Sequence, residues 1–314
     1  MRIVCVGEIL WDVIGDNEYL GGAPLNFGAH AQKLGHQVML LSAVGADDRG
    51  HQALELLHTR GVSTELVQVL PEQKTGTAEV ELDSEGRPTF RIVRPAAYDF
   101  VDLQGADLER IAALRPDWIY LGTLYHMSAQ ALACTMKLLD AVPQAKRFYD
   151  VNLREGQWSL TSVEQLSRRA TVVKLSDAEA EFLDAPIHAD GLGTSVEDFC
   201  RRWIAQYGCE IMCVTFGERG CAILKGNAYN EIPGFRVKVA DTVGAGDAFS
   251  AAFLHGLDQG WNSERIGTFA NAVGGLVASR SGAIPDWRVE DALAMIGTDL
   301  TPGEEEAARK SSRA

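Results

Sequence analysis

The segment DTVGAGDAFSAAFLHGL, residues 241–257, places two glycines and an aspartate where an apolar stretch passes into an amphipathic helix. Gly244 and Gly246 carry no Cβ, so the N–H groups of residues 244–247 are free to converge at a helix N-terminus, whose dipole favours negative charge. This is an anion hole made of main chain. Asp247 stands inside it, where a fixed carboxylate would repel an anion unless it also takes part in the chemistry. The role that suits it is to accept a proton from a hydroxyl attacking a phosphoryl group held by the same amides. The same spacing also fits a plain turn in which Asp247 caps a helix.

A second segment, LGGAPLNFGAHAQKLG at residues 20–35, has the same flavour. Gly21 and Gly22 let the chain approach a ligand, and Pro24 suits the first turn of a helix. Asn26 then projects a donor and an acceptor from that turn, which fits a polyhydroxylated ligand. Asp12 follows the first apolar run, at the sheet edge where open α/β folds bind ligands. A Gly-Gly turn with an Asn cap explains the segment as well. The chain has no GxxxxGK[ST] and no paired HRD and DFG, which excludes a P-loop NTPase and a protein kinase. GAGDAF lacks the last glycine of GxGxxG, so a dinucleotide fold is a poor fit.

These segments need elements to hold them. Short β-rich runs occur at 3–7, 38–45, 117–122, 147–151, 171–176, 211–216 and 221–225, and helix-length stretches at 25–35, 128–142, 196–208 and 247–260. Runs that are apolar on both faces and alternate with helices predict a mostly parallel sheet covered by helices on each side. Residues 75–94 break the rhythm, alternating apolar and polar about a Ser84-Glu85-Gly86 turn, and read as a hairpin with one wet face. With the polar stretch 11–20 it forms a small β flap on the α/β body. From about residue 298 to 314 the chain is polar and aperiodic, a solvated tail.

The 314 residues are 46% hydrophobic, and 43 acidic side chains oppose 29 basic ones, for a net charge of −14. A nucleic-acid groove or an anionic membrane surface needs a dense basic face, so neither is an expected partner. No stretch approaches the roughly 20 apolar residues of a membrane span, and MRIVCVGEIL is not a signal peptide. The six cysteines form no CxxC pair, which predicts reduced thiols and a cytoplasmic protein. His30, His126 and His255 have no partners at ligand spacing and read as structural. Residues 234–282 carry four basic and four acidic side chains, so the acidity lies away from the anion hole.

Taken together, the glycine-rich segment near the N-terminus and DTVGAGD near the C-terminus resemble the carbohydrate kinases of the PfkB, or ribokinase, family, from about residue 3 to residue 295. The resemblance implies a ribokinase-like α/β fold over residues 1–297: a central, mostly parallel sheet flanked by helices on both faces. A discontinuous β lid, from about 11–20 and 75–100, would close over the sugar. It implies that Asp247 is the general base, with the amides of Gly244, Ala245 and Gly246 stabilising the transferring phosphoryl. Asp12, Gly22 and Asn26 match sugar-binding positions, with Tyr98 and Arg154 beside them. In KLSDAEAEFL, Lys174 and Glu179 match a motif near the phosphates, where Glu acts on Mg²⁺ through water; the family commonly has Asn at the place of Ser176. Thr215, Gly217, Gly220 and Asn271 match nucleotide contacts. Family members also place a monovalent cation, K⁺, by Asp241 and Val243 and the carbonyls near Ala278 and Ser281.

Within the family, Glu8 and Trp11, Ala97-Tyr98-Asp99 and the DVNLRxxxW of 150–158 look most like the fructokinases. The activity so implied is ATP-dependent phosphorylation of the 6-hydroxyl of D-fructose. The alternatives are a 2-dehydro-3-deoxygluconate kinase, for which Arg154 would suit the acidic sugar equally well, a nucleoside kinase, and a non-catalytic sugar or nucleotide sensor. An exposed lid face predicts a homodimer through the lid.

Overall fold

The computed structural model describes residues 1–82, 88–184 and 195–298. Along the chain run strands β1 (Arg2–Val6), β2 (Leu10–Ile14), β3 (Asn17–Gly21), β4 (Gln37–Gly45), β5 (Val67–Leu70), β6 (Gly76–Leu82), β7 (Pro88–Val93), β8 (Trp118–Gly122), β9 (Lys146–Asp150), β10 (Val172–Ser176), β11 (Ile211–Thr215), β12 (Gly220–Lys225) and β13 (Ala228–Pro233). The helices are α1 (Ala23–Lys33), α2 (Asp48–Thr59), α3 (Gly105–Leu114), α4 (Ala129–Ala141), α5 (Leu160–Ser167), α6 (Asp177–Asp184), α7 (Val196–Tyr207), α8 (Ala245–Asp258), α9 (Ser263–Ala278) and α10 (Val289–Thr298).

Nine strands form one sheet in the order β13-β12-β11-β10-β9-β8-β1-β4-β5. Every pairing from β5 across to β11 is parallel. The pairs β11–β12 and β12–β13 are antiparallel, because short turns return the chain at once to its neighbour. Apolar side chains stand on both faces, as a sheet covered on each side requires. In β1, Ile3 and Cys5 join a core with Phe27, Leu57, Phe253 and Phe269 from α1, α2, α8 and α9. Val4 and Val6 join the opposite core, with Ile111, Leu138, Leu166, Leu183 and Trp203 from α3 to α7. The expected mostly parallel sheet with helices on both faces is therefore what the chain adopts.

A second sheet has the order β3-β2-β6-β7, two antiparallel hairpins joined by parallel pairing of β2 with β6. It is the flap expected from 11–20 and 75–94. The Ser84-Glu85-Gly86 turn lies outside the described residues, as does the polar tail beyond residue 298. The small sheet ends at Val93 and does not continue to residue 100 as expected. The Asp99 carboxylate accepts from Ala96 N and pairs with Arg94, which closes a short helical turn at Ala97–Phe100 and sends the chain into the core. The flap is tied to α2 by Trp11 Nε1, which donates to Arg49 O at 3.1 Å, and by an Arg49–Glu18 ion pair.

Helix starts divide into two kinds. α2, α4, α5, α7 and α9 begin at Asp47, Ser128, Ser159, Ser195 and Asn262, whose side chains accept from first-turn amides. α1 and α8 begin instead at glycines, Gly22 and Gly244, with no side-chain cap. These two N-termini face the same cleft.

Candidate active site

Gly244 has a φ of 78°, the left-handed region that glycine adopts without strain. A Cβ there would lie 2.2 Å from Ala283 O, so the position has no room for a side chain either. Behind it, the first-turn amides of Gly246 and Asp247 find no acceptor among the described residues, as expected of uncapped helical donors. They form the anion hole.

Asp247 is the third residue of α8 and is buried. Asn26 Nδ2, in the first turn and a half of α1, donates to Asp247 Oδ2 at 2.9 Å. Burial, and then the charge of Asp150, push the Asp247 carboxyl up to about 7 from its ordinary 3.8, against Asn26, Lys174 and Arg154, which pull it down. A carboxylate so poised exchanges a proton near neutral pH. Asn26 Oδ1 is buried without a partner among the described residues.

Beneath the anion hole lies a buried ion pair. Lys174 Nζ donates to both carboxylate oxygens of Asp150 at 3.1 Å, and lies 3.5 Å from where a Cβ of Gly246 would stand. Burial works against the Lys174 ammonium, but the charges of Asp150, Glu179 and Asp247 outweigh it and hold its pKa above the ordinary value. Asp150 also accepts from Ser250 Oγ at 2.8 Å and Tyr120 Oη at 3.4 Å.

The other end of the cleft is built on Gly22, whose φ is 121° and whose Cβ would lie 2.4 Å from Glu8 O. Glu8 is buried and its Oε1 accepts from Ala23 N at 2.9 Å, so the first amide of α1 is already satisfied. Asp12, on β2, has its carboxyl raised to about 6 by burial, with Arg154 opposing. Arg154 itself is exposed and forms no ion pair among the described residues. The cleft between these ends has a volume of about 1290 Å³, larger than the roughly 300–1,000 Å³ of a single small-molecule site. It has room for two ligands side by side.

Of the residues singled out in the sequence, the cleft lining brings together Asp12, Gly22, Asn26, Arg154, Lys174, Asp241, Val243, Gly244, Gly246, Asp247 and Ser281. Ala245 is absent from the lining, and its N–H, expected among the phosphoryl donors, donates to Thr242 O at 3.3 Å. Tyr98 is not on it: the side chain is fully buried, and its hydroxyl has no partner among the described residues. Thr215, Gly217 and Gly220 sit at the adjoining ends of β11 and β12, outside the lining. Gly220, with a φ of 108°, is required by the backbone of β13, since its Cβ would lie 2.1 Å from Ile232 O. Asn271 in α9 donates to Ile232 O and Pro233 O at 3.2 and 3.0 Å, which fastens α9 to β13.

The metal expectations fare differently. Glu179 Oε1 accepts from Leu153 N, and Oε2 accepts from Ser176 N and Oγ at 2.7 and 3.0 Å. Ser176 Oγ in turn accepts from Glu179 N, a reciprocal capping box at the start of α6. Three of about four acceptor sites on this carboxylate are thus taken. One remains for a metal-bound water, and no cluster of three ligating side chains exists among the described residues to hold a metal directly. Asp241 accepts from Val243 N and Gly282 N, both at 3.0 Å. The Ala278 carbonyl accepts from Ala240 N at 2.9 Å and Asp241 N at 3.2 Å, which fastens this loop to the end of α9.

Two further carboxylates at the cleft, Asp150 and Glu8, enter the sequence reading only as parts of fructokinase-like words, with no role of their own. Asp150 ends β9 and Glu8 lies two residues past β1, each following a buried run at the C-terminal end of a strand, and that placement is the signal that finds them. His30, His126 and His255 each make hydrogen bonds within the fold. Trp287 Nε1 donates to His30 Nδ1, which leaves His30 Nε2 to donate to Ala283 O; both bonds are 3.0 Å. His126 bonds Gly122 O and Thr135 Oγ1, and His255 bonds His36. All six cysteines are buried and unpaired.

Comparison with known proteins shows the family. The family described as pfkB family carbohydrate kinase matches residues 2–289. Fructokinase-1 of Oryza sativa subsp. japonica is 28% identical over 284 residues, 86% of this chain and 85% of the relative. Among solved structures, a fructokinase with bound ATP from Xylella fastidiosa superposes with a TM-score of 0.80 at 24% identity, over 95% of this chain and 98% of its own. A fructokinase from Vibrio cholerae O395, in a form with fructose, ADP and calcium ion bound, gives 0.77 at 24% identity, over 94% and 98%. No helix among the described residues is long and apolar enough to cross a membrane.

Proposed function

Since the chain belongs to the pfkB family of carbohydrate kinases, and so transfers a phosphoryl group to a sugar hydroxyl, we propose that its reaction moves the γ-phosphoryl of ATP to the 6-hydroxyl of D-fructose, with Asp247 as general base. The observation that carries this reading is Asp247 itself: a buried carboxyl raised to about 7, hydrogen-bonded to Asn26, at the mouth of an uncapped helix N-terminus.

The chemistry then follows from the chain's own groups. The sugar lies at the Gly22 end, its hydroxyls meeting Asp12 and Asn26 of the cleft lining. Asp247 takes the proton of the attacking hydroxyl as that oxygen bonds to the γ-phosphorus. The bond from the γ-phosphorus to the β-phosphate oxygen breaks, and its electron pair leaves with ADP. The amides of Gly246 and Asp247 and the Lys174 ammonium balance the charge on the phosphoryl oxygens during transfer. Asp247 returns its proton to solvent after ADP leaves. A magnesium ion bound with the nucleotide would neutralise phosphate charge. Glu179 has one acceptor site for a water on that metal. The nucleotide base lies toward Thr215, Gly217, Gly220 and Asn271, and Tyr98 backs the sugar end. K⁺ is proposed near Asp241 and Val243 and the carbonyls near Ala278 and Ser281.

Fructose is favoured by the fructokinase names among relatives and by the fructose and ADP in the Vibrio cholerae neighbour. The unpaired Arg154 favours a second reading, an acidic sugar such as 2-dehydro-3-deoxygluconate, whose carboxylate its fork would bind. ADP release measured with fructose, ribose, tagatose, adenosine and 2-dehydro-3-deoxygluconate separates the two. The reading expects fructose to have the highest kcat/KM; a clear preference for the sugar acid overturns it and leaves the family assignment intact. Exposed Ile14 and Tyr19 on the small sheet support a homodimer through the lid, and sedimentation showing only monomer at micromolar concentration would count against it. Unpaired buried thiols suit a reducing compartment, the cytoplasm.

A further inference from the structure

We infer that Asp150 is a positioning residue for phosphoryl transfer: it holds the Lys174 ammonium under the anion hole and locks that ammonium to α8. This rests on the phosphoryl-transfer reading of the site, but not on the identity of the sugar. Asp150 closes β9 at the C-terminal edge of the sheet and is 1% exposed. Its two oxygens receive Lys174 from β10, Ser250 from α8 and Tyr120 from β8, so four elements meet at one carboxylate. Ser250 lies one turn below Gly246, and the Ser250–Asp150 bond therefore sets the height of the anion hole above the ammonium.

A buried lysine without this partner would swing or lose its proton, and a buried aspartate without the lysine would be an uncompensated charge. Asp150 touches neither of the proposed ligand positions, since its oxygens are filled by protein donors. Its influence reaches the reacting atoms in two ways. It keeps a positive charge fixed where the phosphoryl charge develops. It also faces Asp247 with a negative charge, the second largest cause of that group's raised proton affinity after burial.

The groups facing Asp247 are Asp150 from β9, Lys174 from β10, Tyr120 from β8, Arg154 from the loop after β9 and Asn26 from α1. Removing Asp150 deletes a like charge, so Asp247 should ionise at lower pH. Removing Lys174 deletes an opposite charge, so Asp247 should ionise at higher pH. A residue that only filled space would give neither shift.

The test is a titration of Asp247 in Asp150→Asn, Lys174→Met and the double variant. It is followed by the carboxyl-carbon chemical shift of the ligand-free protein and by the acid limb of kcat against pH. We expect the midpoint to fall by about one unit in the first, rise by about one unit in the second, and return near the wild-type value in the double variant. With the acceptor sugar turned over best, kcat should fall about 10- to 100-fold in Asp150→Asn, while KM for that sugar stays within about two-fold. A folded Asp150→Asn with the wild-type midpoint and kcat overturns the inference. If Asp150→Asn does not fold, an unmoved midpoint in Lys174→Met overturns it instead. Failure of the broader reading looks different: Asp247→Asn would then keep its turnover, whatever happens at Asp150.

Discussion

The N-termini of α1 and α8 share one backbone device and differ in what they leave unsatisfied. Both start at a glycine in the left-handed region, Gly22 at 121° and Gly244 at 78°. Both glycines lie under a carbonyl that excludes a side chain, that of Glu8 and that of Ala283. At α1 the first amide is taken by Glu8 Oε1, and the polar residue of the opening turns is a neutral amide, Asn26. At α8 the first amide, that of Ala245, is taken by Thr242 O at 3.3 Å, but the amides of Gly246 and Asp247 remain free, a lysine lies beneath them, and the polar residue is an acid. A helix N-terminus serves an anion only through the donors that nothing in the protein has already claimed. The α1 end, with its donor claimed, offers hydroxyl partners instead.

The largest effect expected at either end is on the acid. Asp247→Asn keeps the shape and the hydrogen-bonding capacity of the site but cannot take a proton, so kcat should fall about 10²–10⁴-fold with nucleotide affinity nearly unchanged. Asn26→Ala, the matching change at α1, should cost far less. Steady-state kinetics with equilibrium nucleotide binding checks this, and equal losses at the two ends would erase the distinction between them.

Next in size are the two glycines. Gly244→Ala and Gly22→Ala each force a Cβ to within 2.2 and 2.4 Å of a carbonyl oxygen. The strain is about 1–3 kcal/mol at each position. The comparison is sharpened by where it appears: Gly244→Ala should raise KM for ATP about ten-fold or more, and Gly22→Ala should raise KM for the sugar. A common rise in both constants from either variant would mean that the ends are not separate subsites.

Both helix starts are legible in the sequence because glycine, proline and the DTVGAGD spacing act locally. The central strands are legible for a similar reason, since 3–7, 38–45 and 171–176 are apolar on both faces. The edges are not: β13, AYNEIP, is mostly exposed and has no periodicity to betray it. What the local pattern cannot supply is a partner from far along the chain. Asn271 meets Ile232 and Pro233, and Asp150 meets Ser250 a hundred positions later. The Ser176-x-x-Glu179 spacing does announce a capping box, yet the resemblance draws attention to the metal instead. Tyr98 follows the flap in sequence but turns inward, because Asp99 closes a helical turn there.

A smaller effect concerns the bond that joins the two ends. Asn26 donates to Asp247 at 2.9 Å and favours its charged form. Asn26→Ala should therefore raise the midpoint of the acid limb of kcat above about 7. The rise should be about half a unit to one unit, with activity largely recovered at higher pH. An unmoved midpoint would show that Asn26 serves the sugar alone.

The smallest effect is on stability, and its sign separates the two helix ends again. Asp247 has a folded pKa raised from the ordinary 3.8 to about 7. An acid raised on folding contributes stability that is complete below the unfolded value and is lost as pH rises through the folded one. Asp247→Asn removes that charge, so the variant should melt higher than wild type at pH 8 and no higher at pH 4, by about 2–4 °C per kcal/mol of relief. Asn26 does not titrate, and Asn26→Ala should melt lower than wild type across the whole range, through the lost hydrogen bond. Thermal melts at the two pH values decide the matter: a pH-independent difference for Asp247→Asn would mean that the acid is not held against its own ionisation. The α8 end would then be no more strained than the α1 end, and its reactivity would have to come from the free amides and Lys174 alone.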